Sequence, residues 1–430
     1  MTSARTVLIV SPYFPPSNLA CVHRARHLAN HLSSAGWTPL VVCVDERFYE
    51  QEPDPTLSRL VSPTVEIIKV PALPSSLSRR VGLGDLGLRA WLPLSRRIAD
   101  LLQGRPIGAV LITGSPFYPM LMSRWIRSRF NVPVVLDFQD PWVSRWGGQQ
   151  WPFSKAGLSH RLALYLEPRA LRGARFITSV SQRQNEEMVS RYSWLDPSHM
   201  AALPIGGDFD DIKILRSIPS APDAVVHLDR TMINLSYVGT APPRAAPLFR
   251  VLFKALAQVK AEYPALASRI RLHFVGTSNQ ANDCRTLSLA PLAADEGVSQ
   301  MVVEIPQRVP YGEAMGIMAG SHGLLLIGSD EPHYTASKIY PALMSGRPFV
   351  SLFHRQSSAH ALLKAAGGGA CFAFSDPAGL FSLAGELAAG LVRVAGEPAS
   401  LGRTDLGCLD TYSAAAIARR YADIFERLQC

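Results

Sequence analysis

Residues 6–45, TVLIVSPYFPPSNLACVHRARHLANHLSSAGWTPLVVCVD, carry the pattern that decides the fold. TVLIV is a short apolar run that stops at Ser11 and Pro12, which predicts a buried strand followed by a loop. CVHRARHLANHLSSAG predicts a helix closed by Gly36, a residue type that ends helices because it tolerates the left-handed conformation. TPLVVCVD predicts the second strand. Strand, helix and strand in this order make one βαβ unit of a parallel sheet.

The alternation continues along the chain. Strands are expected at VEIIKV, AVLITG, VPVVLDF, RFITSV and AALPIG. After the polar, proline-containing stretch at 217–230 a second series runs through INLSYVGT, RLHFVGT, VVEIP, GLLLIG, RPFVSLF and ACFAF. TYSAAAIARRYADIFERL predicts an amphipathic terminal helix. Two α/β units of similar size are therefore expected, with a linker near 215–230. Ligands of open α/β sheets gather at the carboxyl ends of the strands, so two such units imply a ligand cleft between them.

At 430 residues the chain is long enough for two cores, and 47% hydrophobic with 18% charged residues describes a globular protein. No run approaches the ~20 apolar residues of a membrane-spanning helix. Six cysteines are scattered without metal-ligand spacing, which fits a reduced, cytoplasmic protein. The net charge of +9 is uneven: residues 1–215 hold 24 basic and 17 acidic groups. Residues 79–129 hold nine arginines against Asp85 and Asp100, interleaved with Trp91, Trp125 and Phe130. Basic residues beside aromatics suggest contact with an anionic membrane surface through Arg96, Arg97, Trp125 and Arg127. An ordinary solvated face over buried leucines is the alternative. No nucleic-acid-binding motif is present, so no nucleic-acid partner is expected.

HYTASKIYPALMSGRPFV, residues 333–350, reads as a loop, a helix and the start of a strand. Thr335 or Ser337 is suited to cap the helix, Lys338 lies in its first turn, and Gly346 with Pro348 ends it. A helix start flanked by lysine is a plausible anion site, because the macrodipole disfavours a cation there without an anionic partner.

Several stretches, in order along nearly the whole chain, resemble GT-B glycosyltransferases, especially the retaining sugar-nucleotide enzymes of family 4. They are VLIVSPYFPPSN, VPVVLDFQDPW, ARFITSVSQRQNEEM, LPIGGDFDD, LSYVGTAPPR and SKIYPALMSGRPFV. The resemblance implies two Rossmann-like domains with parallel sheets facing a central cleft. It implies an acceptor-binding domain over 1–215, a donor-binding domain over 216–410, and a terminal helix, 411–430, crossing back to the first domain. The donor diphosphate would meet Gly239, Thr240, Arg244, Lys338 and the backbone around Ala336 and Ser337, with Arg308 and Tyr311 near the base. His333, Asp140 and Gln139 would line the reacting centre, and Asn18 would lie on the acceptor side. Donors aimed at the leaving phosphate suffice for this chemistry, so no metal or other cofactor is expected.

The chain departs from the family at informative positions. Aligning PALMSG with the family's Glu-Ala-Met-Ala-x-Gly segment puts His333 and Pro341 where a Glu-x7-Glu pattern usually stands. His333 can still donate to a hydroxyl or phosphate, and with an ordinary pKa of about 6.5 it would be mostly neutral in the cytoplasm. Pro341 removes the usual ribose ligand. The implied activity is sugar transfer from a nucleotide sugar to a glycan or lipid-linked acceptor, in polysaccharide biosynthesis at the inner face of the membrane. The rivals are a non-catalytic GT-B binding or scaffold protein and a sugar-nucleotide epimerase.

Overall fold

The structure, a computed structural model, describes residues 5–78, 84–217, 225–278, 285–330 and 337–429. The chain divides into two compact units, residues 1–205 with 414–430, and residues 206–413. The division falls at Ile205/Gly206, upstream of the linker that the sequence suggested near 215–230. The helix Phe209–Ser217 accounts for the difference: Ile212 enters the apolar core of the second unit, and Asp211 accepts a hydrogen bond from the Tyr311 hydroxyl at 3.0 Å.

The first unit holds seven strands: Thr6–Val10 (β1), Thr38–Val44 (β2), Glu66–Val70 (β3), Ala109–Gly114 (β4), Val134–Phe138 (β5), Phe176–Ser179 (β6) and Met200–Ala202 (β7). They form one sheet in the order β3-β2-β1-β4-β5-β6-β7, and every pairing is parallel. The second unit holds Ile233–Val238 (β8), Ile270–Val275 (β9), Val302–Ile305 (β10), Gly323–Ile327 (β11), Phe349–His354 (β12) and Gly369–Phe374 (β13). Their order is β10-β9-β8-β11-β12-β13, again all parallel. Both sheets reverse their strand order once, between β1 and β4 and between β8 and β11. Ligand crevices of doubly wound sheets open at such reversals.

The central strands are apolar on both faces because helices cover both faces. All six residues of β4 are buried, and so are Val7, Leu8, Ile9 and Val10. Gly36, with φ +83°, turns the chain out of the first helical segment and into β2. The closing helix Ala414–Arg427 buries Ala414, Ile417, Ala418, Tyr421, Ala422 and Phe425 in the first unit beside Trp37. That spacing is one continuous helical face, and each large apolar side chain on it contributes about 1.5–3 kcal/mol. Gly379–Gly396 is long and apolar enough by composition to cross a membrane, but Leu387, Leu391 and Val394 lie in the core of the second unit.

Candidate functional site

In the second unit the polypeptide leaves β8 through Gly239 and Thr240, at the strand-order reversal. Gly239 has φ +134°, and its N–H donates to the Val275 carbonyl at 2.8 Å. A Cβ at this position would come within 3.1 Å of Lys338 Cδ and 3.2 Å of Nζ, so glycine is needed for backbone angle and for space alike. The Tyr237 hydroxyl donates to the Thr240 carbonyl at 2.6 Å and accepts from Lys338 Nζ at 2.5 Å. The same ammonium lies 3.7 Å from the Tyr237 ring centroid, and the ring is fixed edge-on against Phe249. The lysine side chain keeps some solvent-facing surface, yet burial of its charge pushes its pKa down to about 7. Among the described residues Lys338 makes no ion pair.

The helix that follows is Ile339–Met344, shorter than the sequence suggested, and Lys338 occupies its cap position without a side-chain cap. Ser337 is exposed and contributes a carbonyl that accepts from Tyr340 N–H at 3.4 Å, so the expected hydroxyl cap is not formed. Six residues give a weak dipole, so the attraction for an anion rests on Lys338 more than on the helix end. Pro341 is the third helical residue, where its missing N–H costs nothing. His333 and Ala336 lie outside the described residues. Arg244 stands in the single turn Pro243–Ala245 after Thr240 and is exposed. Arg308 is half-buried, and the Tyr311 hydroxyl is engaged by Asp211.

The sequence did not single out Glu304, at the end of β10. Its carboxylate accepts from Thr277 Oγ1 at 2.8 Å and from the N–H groups of Ser288, Leu289 and Ala290 at 3.0, 2.9 and 2.7 Å. It thereby ties the segment after β9 to the next helix start.

In the first unit Gln139 is buried at the end of β5. Its N–H donates to the Gly114 carbonyl and its amide donates to the Cys21 carbonyl, both at 3.1 Å. This bridges the ends of β4 and β5 to the start of the helix Val22–His31. Oε1 of Gln139 has no partner among the described residues. Asp140 is exposed by surface, and the protein packed around it pushes its carboxyl pKa up. Asn18 is half-buried in the loop after β1. Arg96 and Arg97 are exposed on the helix Trp91–Gly104, and Arg127 on Met122–Phe130. Trp125 is half-buried, with its ring edge-on to Phe130.

A buried polar network, also unforeseen, lies beneath this end of the sheet. Asp137 accepts from Arg24 Nε at 3.2 Å, Thr178 Oγ1 at 2.9 Å and Tyr421 OH at 2.7 Å. Arg24 also donates to the carbonyls of Leu203 and Pro204. Arg24, Asp137, Thr178 and Tyr421 are almost fully shielded from solvent, and burial holds the Tyr421 phenol well above its usual pKa.

Two all-parallel, doubly wound sheets of seven and six strands make up the GT-B glycosyltransferase fold. Residues 21–206 match the family described as glycosyl transferase 4-like domain, and over its whole length the chain shares its fold with solved GT-B structures. Among solved structures, HepE of Anabaena in complex with UDP is similar, at 13% identity and a TM-score of 0.59 over 98% of this chain and 100% of that one. WaaG, a glycosyltransferase of lipopolysaccharide biosynthesis, has 14% identity and a TM-score of 0.58 over 97% and 99%. A UDP-forming trehalose-phosphate synthase from Burkholderia xenovorans has 10% identity and a TM-score of 0.60 over 99% and 100%. No curated protein sequence matches the chain.

Proposed function

We propose that this protein is a sugar-nucleotide glycosyltransferase, moving a sugar to a hydroxyl of a glycan or lipid-linked acceptor in surface polysaccharide synthesis. The observation that carries this reading is Lys338, a buried cation against a phenol ring, without an ion-pair partner among the described residues. Such a cation is suited to an anion, and a nucleotide diphosphate is the anion that glycosyltransferases of this fold bring to this strand end. Negative charge grows on the leaving phosphate as the glycosidic bond breaks. Lys338, with Arg244 in the adjoining turn, would stabilise it there in place of a metal or other cofactor. His333 is proposed to face the sugar, with the amides of Ala336 and Ser337 toward phosphate and Gly239 and Thr240 beneath it. Arg308 and Tyr311 are assigned to the base side, Asp140 and Gln139 to the reacting centre, and Asn18 to the acceptor side. Retention at the anomeric carbon, a hexosyl donor and a cytoplasmic location complete the reading.

Pro341 favours a second reading, a nucleotide-binding protein without turnover. Calorimetry with UDP, together with mass-detected transfer from UDP-sugars to extracted lipid and glycan acceptors, separates the two. Transfer supports the enzyme, and UDP binding without transfer supports the second reading. Absence of both would sink the donor site itself.

A further inference from the structure

The most exposed apolar surface of the first unit lies outside the basic 79–129 region. It is built by residues 146–165. Trp151 and Phe153 are each 70% exposed, Tyr165 59%, Trp146 58%, Leu158 51% and Leu162 44%. On the helix Lys155–Leu171 the positions 158, 162 and 165 share one face by their spacing, and this face points to solvent. The opposite face, with Ala163, Glu167 and Ala170, is the buried one.

Two glycines bring the aromatic turns onto this helix. A Cβ on Gly157 would lie 2.1 Å from the Trp151 carbonyl oxygen, so the Trp151–Phe153 turn rests directly on the first helical turn. A Cβ on Gly147 would lie 2.7 Å from the His160 ring, which places the Trp146 turn against the same helix. Exposed rings and leucines are thus gathered by packing.

The charge around the patch is mainly positive, although Arg145 is paired with Glu187 at 3.5 Å. Between residues 143 and 175 there are six basic residues, Arg145, Lys155, Arg161, Arg169, Arg172 and Arg175, and a single acid, Glu167. Glu167 is buried and satisfied by Arg191 at 3.1 Å, the Tyr192 hydroxyl at 2.8 Å and the Val143 N–H at 3.3 Å. Arg169 lies over the Tyr165 ring at 3.3 Å, so the apolar stripe is bounded by cations at Lys155 and Arg169.

We infer that this face docks on the surface of an anionic lipid bilayer, with the Trp151–Phe153 turn and the 158/162/165 stripe entering the headgroup boundary. Aromatic rings prefer that boundary, and basic residues beside them meet the lipid phosphates. Self-association through the same patch is disfavoured, because a two-fold axis would set two surfaces of like charge against each other. The inference does not require turnover at the donor site, so it stands or falls separately from the proposed activity.

The test uses the full chain with vesicles of phosphatidylcholine alone or mixed with phosphatidylglycerol, read by co-sedimentation and by tryptophan quenching from brominated acyl chains. Expected are at least tenfold stronger partitioning to the anionic vesicles, weakening with salt, and quenching of tryptophan emission. W151Q/F153Q/L162Q and K155Q/R161Q/R169Q should each lose at least tenfold in partitioning, with unchanged thermal unfolding because these side chains are exposed. R96Q/R97Q should partition like the unaltered protein. Absent binding, loss that follows R96Q/R97Q instead, or a vesicle-free dimer that W151Q/F153Q/L162Q dissolves would each overturn the inference.

Discussion

Replacing Lys338 by methionine keeps the aliphatic stem beside Gly239 and removes only the ammonium. Two effects of opposite sign follow. For a diphosphate ligand the loss is a charge-assisted hydrogen bond, about 1.5–3 kcal/mol, or roughly ten- to 150-fold in Kd for UDP. For the unliganded protein the change removes a charge that burial already penalises, since the lysine pKa falls from 10.5 to about 7. With the folded pKa below the unfolded one, the unfolded chain binds the extra proton between those values. Stability from this group therefore rises as pH climbs from about 7 toward 10.5, and it is lowest when the lysine is protonated. Lys338→Met should unfold at the same or a higher temperature at pH 7 while binding UDP more weakly. In the unaltered protein, UDP binding at pH 8 should take up a proton, because the phosphate favours the charged lysine. Calorimetry in buffers of different ionisation enthalpy reads this uptake directly. Unchanged UDP affinity in Lys338→Met, with no proton uptake in the unaltered protein, would refute the assignment of Lys338 to the diphosphate.

Asp137→Asn should destabilise the protein by about 3–5 kcal/mol in urea, because it leaves the Arg24 guanidinium buried without its counter-charge. UDP affinity should stay within twofold, and a loss of stability below 1 kcal/mol would show that the network is not what secures the terminal helix. Pro341→Glu supplies the carboxylate that the family resemblance expects at this position. It should tighten UDP by about 1–2 kcal/mol through ribose hydroxyls, and unchanged affinity for UDP would show that the ribose does not lie beside residue 341.

The sheet architecture was legible because it depends on short-range pattern. Each of the thirteen apolar runs read from the sequence overlaps a strand, and the central strands, covered on both faces, are seen most easily because they need continuous apolar residues. The Arg24–Asp137–Tyr421 network was not legible, because its partners are separated by 113 and 284 residues and meet only after the sheet is assembled. One clue was present: an aspartate inside the buried run VVLDF requires a buried partner. The exposed stripe on Lys155–Leu171 was not legible for a different reason. Leucines at helical spacing ordinarily mark a core face, and here the core is reached through Ala163, Glu167 and Ala170 instead. Likewise Trp125 reads as a surface aromatic among arginines, but most of its surface is covered by packing that includes Phe130.

The stretch read as the donor site differs in its local structure from what the sequence suggested. The sequence pointed to residues 337–346 through a capped helix and a lysine, and that lysine does lie at the carboxyl end of β8. The expected contribution of the helix is reduced, because only Ile339–Met344 is helical and Ser337 does not cap it. What holds the cation is a side chain the sequence reading passed over, Tyr237, one residue before the end of β8. Its hydroxyl donates to Thr240 and so must accept from Lys338, which fixes the ammonium whether it is charged or neutral. Preorganisation of this kind lowers the cost of ordering the lysine when an anion arrives. On the proposed reading, a site without the usual carboxylate at Pro341 would depend more heavily on its cation, and the Tyr237–Lys338–Gly239 contact is what keeps Lys338 in place.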